Sequence, residues 1–496
     1  DVGPTTAAPG GELPGTSIGY RVNSWQSRVT ASGGNTWNRL HQSSLESAWS
    51  PEGEFIAKSL VSNHYGDYGR LEQTSDQKWD ADSSGAASTV KTSSQYLAPD
   101  FPNWNLNRVF RLTVRHQRPG TPDIVRVSAF TYDVDTGQKL TETIEPDFTN
   151  YRVVSRYSLD GFGNRVGTTV SAAGVPDRNS RLEFDSLGRF PLAEFNHYGQ
   201  QVMRVHDWNQ FGVPLEVSDI DGVITKSATD PMGRAFASWT ATGSWERTTR
   251  GMGAGEFCPA GTALHHASEF GGKPAEIACL DVLLREIRSG KEGFDGRMIY
   301  TDTAYDIQGR PQRVSEPYFS GGTRYWSISS FDEIGRLTGI DSAGGDDLAI
   351  AYGNAGSEYC GVNGSNSIET INALGQKRLE FKNVMGETVE VYDDDCGRAV
   401  YRYDAIGNQV EVTGVDGVRV SMVYDKAGRK VATDDPDKGY WQYSWNALGE
   451  MVRSDSDLDV RIAAARELGN FEEITGQSDS LRAVLRDVEQ VAPTDA

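Results

Sequence analysis

The sequence predicts a mainly β protein made of many short hairpins, and three observations lead to this fold class. A six-residue motif recurs along most of the chain, and the stretches between its copies alternate apolar and polar residues. The composition combines 54 glycines with 10% aromatic residues. Glycine suits turns, whereas aromatic and β-branched residues favour strands. A helical bundle would instead show longer apolar stripes with a 3.6-residue period.

The recurring motif, called the box below, is seen most clearly in YDAIGN at residues 403–408. An aromatic or apolar residue opens it, Asp or Asn is second, two variable residues follow, Gly is fifth, and Arg, Asn, Gln or Glu is sixth. Copies begin at residues 184, 195, 208, 229, 305, 331, 371, 393, 403, 424 and 445, with a weaker copy at 382. Near the end the glycines are spaced by 10, 11 or 21 residues. One period therefore holds one strand and one turn.

The residue types of the box predict a hairpin turn. Asp or Asn is favoured at the first position of a type I turn, and Gly is favoured at the fourth, where a positive φ costs it little. A left-handed residue after such a turn produces a bulged hairpin. The predicted structural turn residues are Asp185, Gly188, Asp230, Gly233, Asp306, Gly309, Asp332, Gly335, Gly397, Asp404, Gly407, Asp425, Gly428, Asn446 and Gly449.

The stretches between boxes predict strands with one more apolar face, as in NQVEVTG and VRVSMVY. About five residues remain for each strand, roughly 17 Å, which is too short to form a core alone. Each unit must therefore pack on its neighbours. We interpret the opening aromatic as a packing residue, with a ladder of sugar-stacking rings as the alternative. The sixth residue is interpreted as a surface group that pairs with a neighbour.

Charge and hydropathy exclude some function classes. A net charge of −21 and a pI near 4.8 argue against a nucleic-acid-binding surface. No window reaches the 18 or so apolar residues of a membrane span. The first twenty residues lack the basic start and apolar core of a signal peptide and resemble a Pro/Gly-rich leader. Because the chain also starts without Met, we expect a fragment whose export signal, if any, lies elsewhere.

The four cysteines contain no CxxC pair, which argues against a zinc ribbon. Cys258 and Cys279 are a candidate disulfide if the protein is exported, with free buried thiols as the alternative. Cys360 with Cys396 is a second, weaker pairing.

No box is found between Gly233 and Gly309, so residues 235–300 are expected to form an insert. A 3.6-residue rhythm within it predicts an amphipathic helix. The apolar positions of that helix are Ile277, Leu280, Leu283, Leu284 and Ile287.

Sites for chemistry are not evident in the sequence. Cys258, His265, His266 and Cys279 match no standard zinc spacing, and DIDG at 219–222 and DDD at 393–395 are interpreted as turn acids rather than calcium ligands. No Ser/His/Asp order or Gly-rich phosphate loop stands out. We predict no catalytic residue, no metal, no cofactor and no enzymatic activity.

The tandem boxes, including the joined form YDDDCGRAVYRYDAIGNQVEV, resemble the YD-repeat or Rhs family, which includes bacterial Rhs proteins and the shell proteins of insecticidal Tc toxins. The stretches at 63–75, 128–147, 157–165 and 294–319 are similar to its bacterial branch. The resemblance implies an elongated, curved ribbon of β-hairpins that forms part of a hollow shell. In toxin-bearing members such a shell encloses a C-terminal effector.

The chain also departs from this family. Bacterial members usually end in a DPxGL segment that supports aspartyl self-cleavage, and this sequence has none. TDPMGR at 229–234 is interpreted as one more turn, so no protease residue is assigned. Residues 457–496 predict a short α-helical tail. Within it, residues 471–496 resemble the entry to the ATPase domain of NtrC-like activators, but the chain ends before any Walker A loop, so nucleotide binding is not predicted.

We expect five regions: a leader and degenerate β region at 1–60, repeats at 61–234, the insert at 235–300, repeats at 301–456 and the helical tail at 457–496. The first functional hypothesis is a structural segment of a secreted Rhs/Tc-type toxin shell, with the rest of the shell and its effector as partners. The alternative is a cell-surface module that binds carbohydrate. Neither hypothesis involves nucleic acid or a membrane span.

Overall fold

A computed structural model describes residues 19–29, 37–49, 55–81, 85–353, 359–362, 364 and 366–456. These residues form one antiparallel sheet of 35 strands, in which almost every strand pairs with the next strand in the sequence. A 3₁₀ helix at Asp67–Gly69 is the single helix in the described part of the chain. No helix there is long and apolar enough to cross a membrane. The mainly β prediction is confirmed, and the predicted helical tail lies outside the described residues.

The strands follow one another with short connections. The first twelve are β1 Gly19–Val29, β2 Trp37–Trp49, β3 Phe55–Tyr65, β4 Leu71–Asp80, β5 Ser88–Tyr96, β6 Val109–Gln117, β7 Ile124–Tyr132, β8 Lys139–Ile144, β9 Val153–Leu159, β10 Arg165–Ala172, β11 Val175–Phe184 and β12 Pro191–Phe195. The next twelve are β13 Gln201–Trp208, β14 Pro214–Asp219, β15 Ile224–Thr229, β16 Ala235–Thr240, β17 Trp245–Met252, β18 Leu264–Phe270, β19 Lys273–Leu280, β20 Glu286–Glu292, β21 Met298–Tyr305, β22 Pro311–Ser315, β23 Tyr318–Phe319 and β24 Trp326–Phe331. The last eleven are β25 Leu337–Asp341, β26 Leu348–Tyr352, β27 Ser367–Asn372, β28 Lys377–Lys382, β29 Thr388–Tyr392, β30 Arg398–Tyr403, β31 Gln409–Thr413, β32 Arg419–Tyr424, β33 Lys430–Asp435, β34 Gly439–Trp445 and β35 Met451–Ser456.

Because consecutive strands are antiparallel, successive turns lie on alternating edges of the ribbon. One edge, called the box edge, carries the turns that begin at residues 160, 185, 209, 230, 281, 306, 332, 383, 404, 425 and 446. The β17–β18 and β26–β27 connections also leave from the box edge, and the turns after the intervening strands lie on the other, called the opposite edge. Most boxes thus share one edge, and three of the boxes named above, which begin at 195, 371 and 393, lie on the opposite edge.

The ribbon forks once, at β21. Thr303–Tyr305 pair with β22, whereas Ile299 and Tyr300 pair with the two-residue β23, and β22 then pairs with β24. Buried Asp302 lies at this fork. Its carboxylate accepts hydrogen bonds from the Arg288 guanidinium at 2.5 and 2.9 Å, from the Tyr318 hydroxyl at 2.8 Å and from Arg324 at 3.0 Å. A buried carboxylate requires such partners, so this cluster stabilises the fork.

The sheet has little core. Twelve hydrophobic side chains are buried among the described residues, and one cluster of three forms from Ile277, Cys279 and Tyr300. Most other apolar side chains are only half-buried between neighbouring strands. This distribution is that of a stacked repeat, in which each unit packs mainly on its neighbours.

The helix predicted within residues 235–300 is wrong. Ile277 and Leu280 lie in β19, Ile287 lies in β20, and Leu283 and Leu284 belong to the tight turn between these strands. The segment expected to be an insert contains β16 to β20, and each of them pairs with its neighbours in the same sheet. The helical period was inferred from only a few apolar residues. Pairing with the neighbouring strands gives this segment a β conformation instead.

Candidate functional site

The repeated turn is the unit from which every larger feature is built. In the box at 403–408 the N–H of Gly407 donates to the carbonyl of Asp404 at 3.2 Å, and the N–H of Asp404 donates to the carbonyl of Asn408 at 2.9 Å. The Asp404 carboxylate accepts the N–H groups of Ile406 and Asn408 at 3.0 and 2.9 Å. The pairing register shifts at Tyr403, which is the bulge that closes the hairpin.

The other predicted turn residues occupy the same places. Gly188, Gly233, Gly309, Gly335, Gly407, Gly428 and Gly449 all have positive φ. The side chains of Asp185, Asp230, Asp306, Asp332, Asp425 and Asn446 accept the N–H of their own sixth residue.

Gly397 needs a correction of one residue. The left-handed position in that turn belongs to Cys396, with φ +61°, and the N–H of Cys396 donates to the carbonyl of Asp393 at 3.0 Å. The box therefore runs from Tyr392 to Gly397. Three consecutive aspartates and a glycine made two alignments possible in the sequence, and strand pairing selects the one that starts at Tyr392.

The second and sixth residues of a box form a matched pair. Where the second is Asp, an Arg Nε at the sixth position donates to its carboxylate, as in Asp230–Arg234 at 2.7 Å and Asp306–Arg310 at 2.6 Å. Where the second is Asn, the polarity reverses. The amide of Asn383 donates to Glu387 at 2.6 Å, and the amide of Asn446 donates to Glu450 at 2.8 Å. Boxes that pair Asp with Arg or Asn with Glu are thus closed internally by a charge-assisted hydrogen bond, whereas Asn196–Gln200 and Asn372–Gln376 form neutral pairs.

The opening aromatic ties its turn to an earlier strand. The hydroxyls of Tyr305 and Tyr403 donate to the carbonyls of Glu286 and Thr388 at 2.8 Å. The indole N–H of Trp445 donates to Lys430 in the same way at 2.7 Å. These rings are therefore packing groups, as the sequence predicted.

One box was missed in the sequence because it has no glycine. In LDVLLR at 280–285 the left-handed position is held by Leu284, with φ +61°. Asp281 accepts the N–H of Leu283 and of Arg285 at 2.8 and 3.0 Å, and its carboxylate receives Arg285 Nε at 2.8 Å. The spacing of Asp281 and Arg285 was the available signal.

Two disulfides join parts of the ribbon. Cys258 in the β17–β18 loop bonds to Cys279 in β19, and Cys360 in the β26–β27 loop bonds to Cys396. The Tyr359 hydroxyl also donates to the carbonyls of Lys377 and Asp393 at 3.3 and 2.5 Å, so this loop lies against the opposite edge.

The candidate metal ligands do not form a site. Both cysteine sulfurs are in the disulfide, and His265 Nδ1 lies 2.9 Å from the carbonyl of Gly253. Asp219 and Asp393 accept N–H groups of their own turns. No group of three or more His, Cys, Asp or Glu suited to a metal occurs in the part of the chain that the structure describes.

The turn hydrogen bonds also lower the pKa of several box carboxylates. The backbone N–H of Arg234 is the largest cause of the lowered pKa of Asp230, and that of Arg310 does the same for Asp306. Asp230 precedes Pro231 in TDPMGR, yet its carboxylate is engaged by Arg234 within an ordinary box. Nothing around it distinguishes it from the other turn aspartates.

The ribbon coils back on itself, so that its opposite edge near the start meets its box edge near the end. Asp80 accepts the N–H of Val384 at 2.5 Å, and Arg118 pairs with Glu387 at 2.7 Å. These are contacts between residues about 300 apart in the sequence.

Further along the same line, Glu145 pairs with Lys426, and Arg178 pairs with Glu450 at 2.5 Å. Lys426 also lies 3.7 Å from the ring centroid of Phe148. Glu145 is 1% exposed, and its carboxylate is paired with Lys426 and, at 3.2 Å, with Arg126. We call this line of contacts the seam.

Most seam contacts have an offset of about 24 strands, counting β23. The turns after β4, β6 and β8 and the first half of β11 face the boxes after β28, β30, β32 and β34, and Arg118 also reaches Glu387 in the box after β28. One winding of the ribbon therefore takes 24 strands. A largely apolar cleft of about 620 Å³ lies between the two windings and is lined by Ile124, Phe148, Val410, Met422 and Tyr424, among others.

Comparisons with known proteins agree with this geometry. Residues 403–440 match the family model described as RHS Repeat. No curated protein matches the sequence.

Solved Tc toxin structures are similar in fold. The crystal structure of TcdB2-TccC3 matches with a TM-score of 0.64 at 10% identity over 88% of this chain. The Photorhabdus luminescens Tc holotoxin pore with mutation TccC3-D651A matches with 0.52 at 14% over 83%. The TcdB2-TccC3-Cdc42 structure matches with 0.52 at 13% over 85%.

The chain spans only 24 to 30% of the length of those solved chains. At these identities the likeness establishes the fold. The chain thus contains a match to the RHS repeat at residues 403–440 and has the β-ribbon fold of those Tc toxin structures.

Proposed function

We propose that this chain is a structural segment of a secreted Rhs/Tc-type toxin shell, and that it helps to enclose a polypeptide effector. The observation that carries the proposal is the seam, because it joins successive windings of a ribbon into a continuous wall. A single-layer sheet with little core has two extended faces. When the sheet winds, one of these faces lies on the inside. The partners would be the remaining shell segments and the enclosed polypeptide.

Other features support a structural role outside the cytosol. Two disulfides persist most readily in an oxidising compartment. Acidic and aromatic residues of the boxes are used within the turns and in packing, which favours construction over catalysis. The carbohydrate-binding alternative gains no support from the opening aromatics, since their polar atoms bond to backbone carbonyls.

The test is protease protection in the complete protein produced from the gene, with an epitope tag on the polypeptide that follows the ribbon. We expect proteinase K to leave the tag intact in the wild type. Arg118→Glu should expose it, because this change places a carboxylate against Glu387 in the seam. Adding Glu387→Arg should restore protection by re-forming the ion pair.

Arg297→Glu is the matched control, because Arg297 pairs with Asp295 within one exposed turn on the opposite edge. It should leave protection unchanged. A tag that is digested equally in the wild type and in Arg118→Glu would contradict enclosure.

A further inference from the structure

We propose that the disulfide between Cys360 and Cys396 is a thiol-exchange site, at which a small thiol attacks Cys396 and so releases the β26–β27 connection from the sheet. The disulfide between Cys258 and Cys279 is instead inert to such thiols while the chain is folded. The inference goes beyond the proposed function and does not depend on it, because it concerns a bond within this chain.

The β26–β27 connection crosses one face of the sheet. It leaves from the box edge, yet the Tyr359 hydroxyl donates to the carbonyls of Lys377 and Asp393, which lie at the opposite edge. Gly364 lies so close to Phe381 that a Cβ at this glycine would be 2.8 Å from the ring. The connection therefore passes over the face of the sheet that carries Phe381.

The same face carries a row of buried side chains, which is unusual in this single-layer sheet. Glu369, Leu379 and Tyr392 are paired across β27, β28 and β29, and they are 7, 2 and 8% exposed. Leu379 shares the face of Phe381 because alternate residues of a strand lie on the same side. The β26–β27 connection covers this row, so the row should become exposed when the connection leaves.

Both cysteines of this disulfide have a strained backbone. Six non-glycine residues have positive φ in the part of the chain that the structure describes, and Cys360 and Cys396 are two of them, at +56° and +61°. Cys258 and Cys279 are not among the six. Opening the first disulfide frees its two residues to leave the left-handed region, and disulfides held under strain are the more easily reduced.

Access to the sulfur atoms differs in the same direction. Cys396 is exposed in its turn. Cys279 is 0% exposed, and Cys258 packs against the core cluster that Cys279 forms with Ile277 and Tyr300. Since an attacking thiolate must reach a sulfur atom, the exposed turn is the place where exchange can begin.

The exchange takes two steps and transfers two electrons. In the first step a thiolate attacks Sγ of Cys396 and forms a mixed disulfide there, and Cys360 leaves as a thiolate that takes up a proton. In the second step another thiolate attacks the external sulfur of the mixed disulfide. Cys396 is then released as a thiol, and the two small thiols, which supplied the electrons, leave as their own disulfide.

The charge of the turn favours one class of small thiol. Asp393, Asp394 and Asp395 directly precede Cys396, and all three are exposed. Among the described residues no lysine or arginine forms an ion pair with any of the three. Their carboxylates repel an anionic thiol such as glutathione and attract a cationic one such as cysteamine.

The experiment is partial reduction of the purified full chain under native conditions, with free thiols alkylated by N-ethylmaleimide and located by peptide mass spectrometry. With cysteamine we expect Cys360 and Cys396 to be alkylated about tenfold faster or more than Cys258 and Cys279, the matched control in the same molecule. Limiting cysteamine should leave its adduct on Cys396. Glutathione should react more slowly, and Asp395→Asn should narrow the difference between the two reagents.

Hydrogen exchange measures the release of the connection. Once the Cys360–Cys396 bond is open, amides of β27 to β29 should exchange faster, whereas those of β18 to β21 should keep their protection. Three results would each overturn the proposal: opening of Cys258–Cys279 at an equal or higher rate, an adduct on Cys360 in place of Cys396, or unchanged exchange in β27 to β29 after selective opening.

Discussion

At the scale of single residues, the box depends on two features: the backbone conformation of its turn, and the hydrogen bond between its second and sixth side chains. The turn conformation could be predicted from the sequence, because Asp404 and Gly407 are the residue types that a type I turn and a positive φ require. The pairing between the second and sixth positions could not be predicted. Asn383 with Glu387 is as consistent a pair as Asp230 with Arg234, but the sequence pattern alone treated the sixth residue as variable.

This pairing predicts that Asn383→Asp destabilises the protein. The change replaces the 2.6 Å hydrogen bond to Glu387 by two adjacent carboxylates, at a cost of about 1–3 kcal/mol. Thermal unfolding should show a lower Tm. Adding Glu387→Arg should recover the box while leaving the contact with Arg118 lost. A Tm of the double variant no higher than that of Asn383→Asp would contradict the pairing of the second and sixth residues.

The left-handed position at Leu284 predicts a stabilising change. A leucine at φ +61° is strained by about 1–2 kcal/mol, and this side chain is 66% exposed, so it contributes little packing. Leu284→Gly should therefore raise the Tm slightly. The reverse change, Gly428→Ala, should lower it, because the φ is +80° and a Cβ would lie 3.3 Å from Ile406. A lower Tm for Leu284→Gly would contradict the strain argument.

At the scale of elements, the ribbon is a run of hairpins whose successive turns alternate between two edges. Strands and turns matched the prediction at most boxes with glycine, because alternation and turn chemistry are local, and the box with Gly397 was displaced by one residue. The sheet between residues 235 and 300 was not predicted. There one turn has Leu284 at the left-handed position and the β17–β18 connection is longer, while the turns with Gly243, Gly272 and Gly296 lack the Asp or Asn and Gly spacing of a box.

The disulfide between Cys258 and Cys279 should stabilise this less regular stretch. It closes a loop of 21 residues beside the small core cluster, for which about 2–4 kcal/mol is typical. Hydrogen exchange in β18 to β21 should become faster in Cys258→Ser/Cys279→Ala. The matched variant, Cys360→Ser/Cys396→Ser, should leave these strands unchanged and affect β27 to β30. Equal protection in both variants would contradict a local role.

At the scale of the whole molecule, the seam converts a ribbon into a wall. The family resemblance implied a curved ribbon, and the fold is now confirmed. The 24-strand winding was beyond the sequence, since it depends on the twist accumulated over many strands. No local pattern relates Arg118 to Glu387 or Glu145 to Lys426.

The seam also predicts a dependence on pH through His116, which lies half-buried at the end of β6. Burial, together with the charge of Arg126, lowers the pKa of His116 below its ordinary 6.5, and Asp404 only partly opposes them. The unfolded chain therefore binds the proton more readily. The contribution of this group is complete above about pH 6.5 and is lost below it, as the pH falls through the lowered pKa of the folded state.

We expect the Tm to fall between about pH 7.5 and pH 5.5 more steeply in the wild type than in His116→Gln. His64→Gln, at a side chain that is 73% exposed, is the control and should retain the wild-type slope. Identical slopes for the wild type and His116→Gln would rule out this contribution.

The length of the winding also causes a delay between the synthesis of residues that contact each other across the seam. Residues that meet across the seam leave the ribosome 269 to 304 residues apart. At about 5–20 residues per second, the early strands wait roughly 15–60 s for their partners. During that interval hairpins form locally, while Phe148 and the carboxylate of Glu145 still lack Lys426. The nascent chain thus passes through a long half-built stage, in which a chaperone has time to bind before the wall closes.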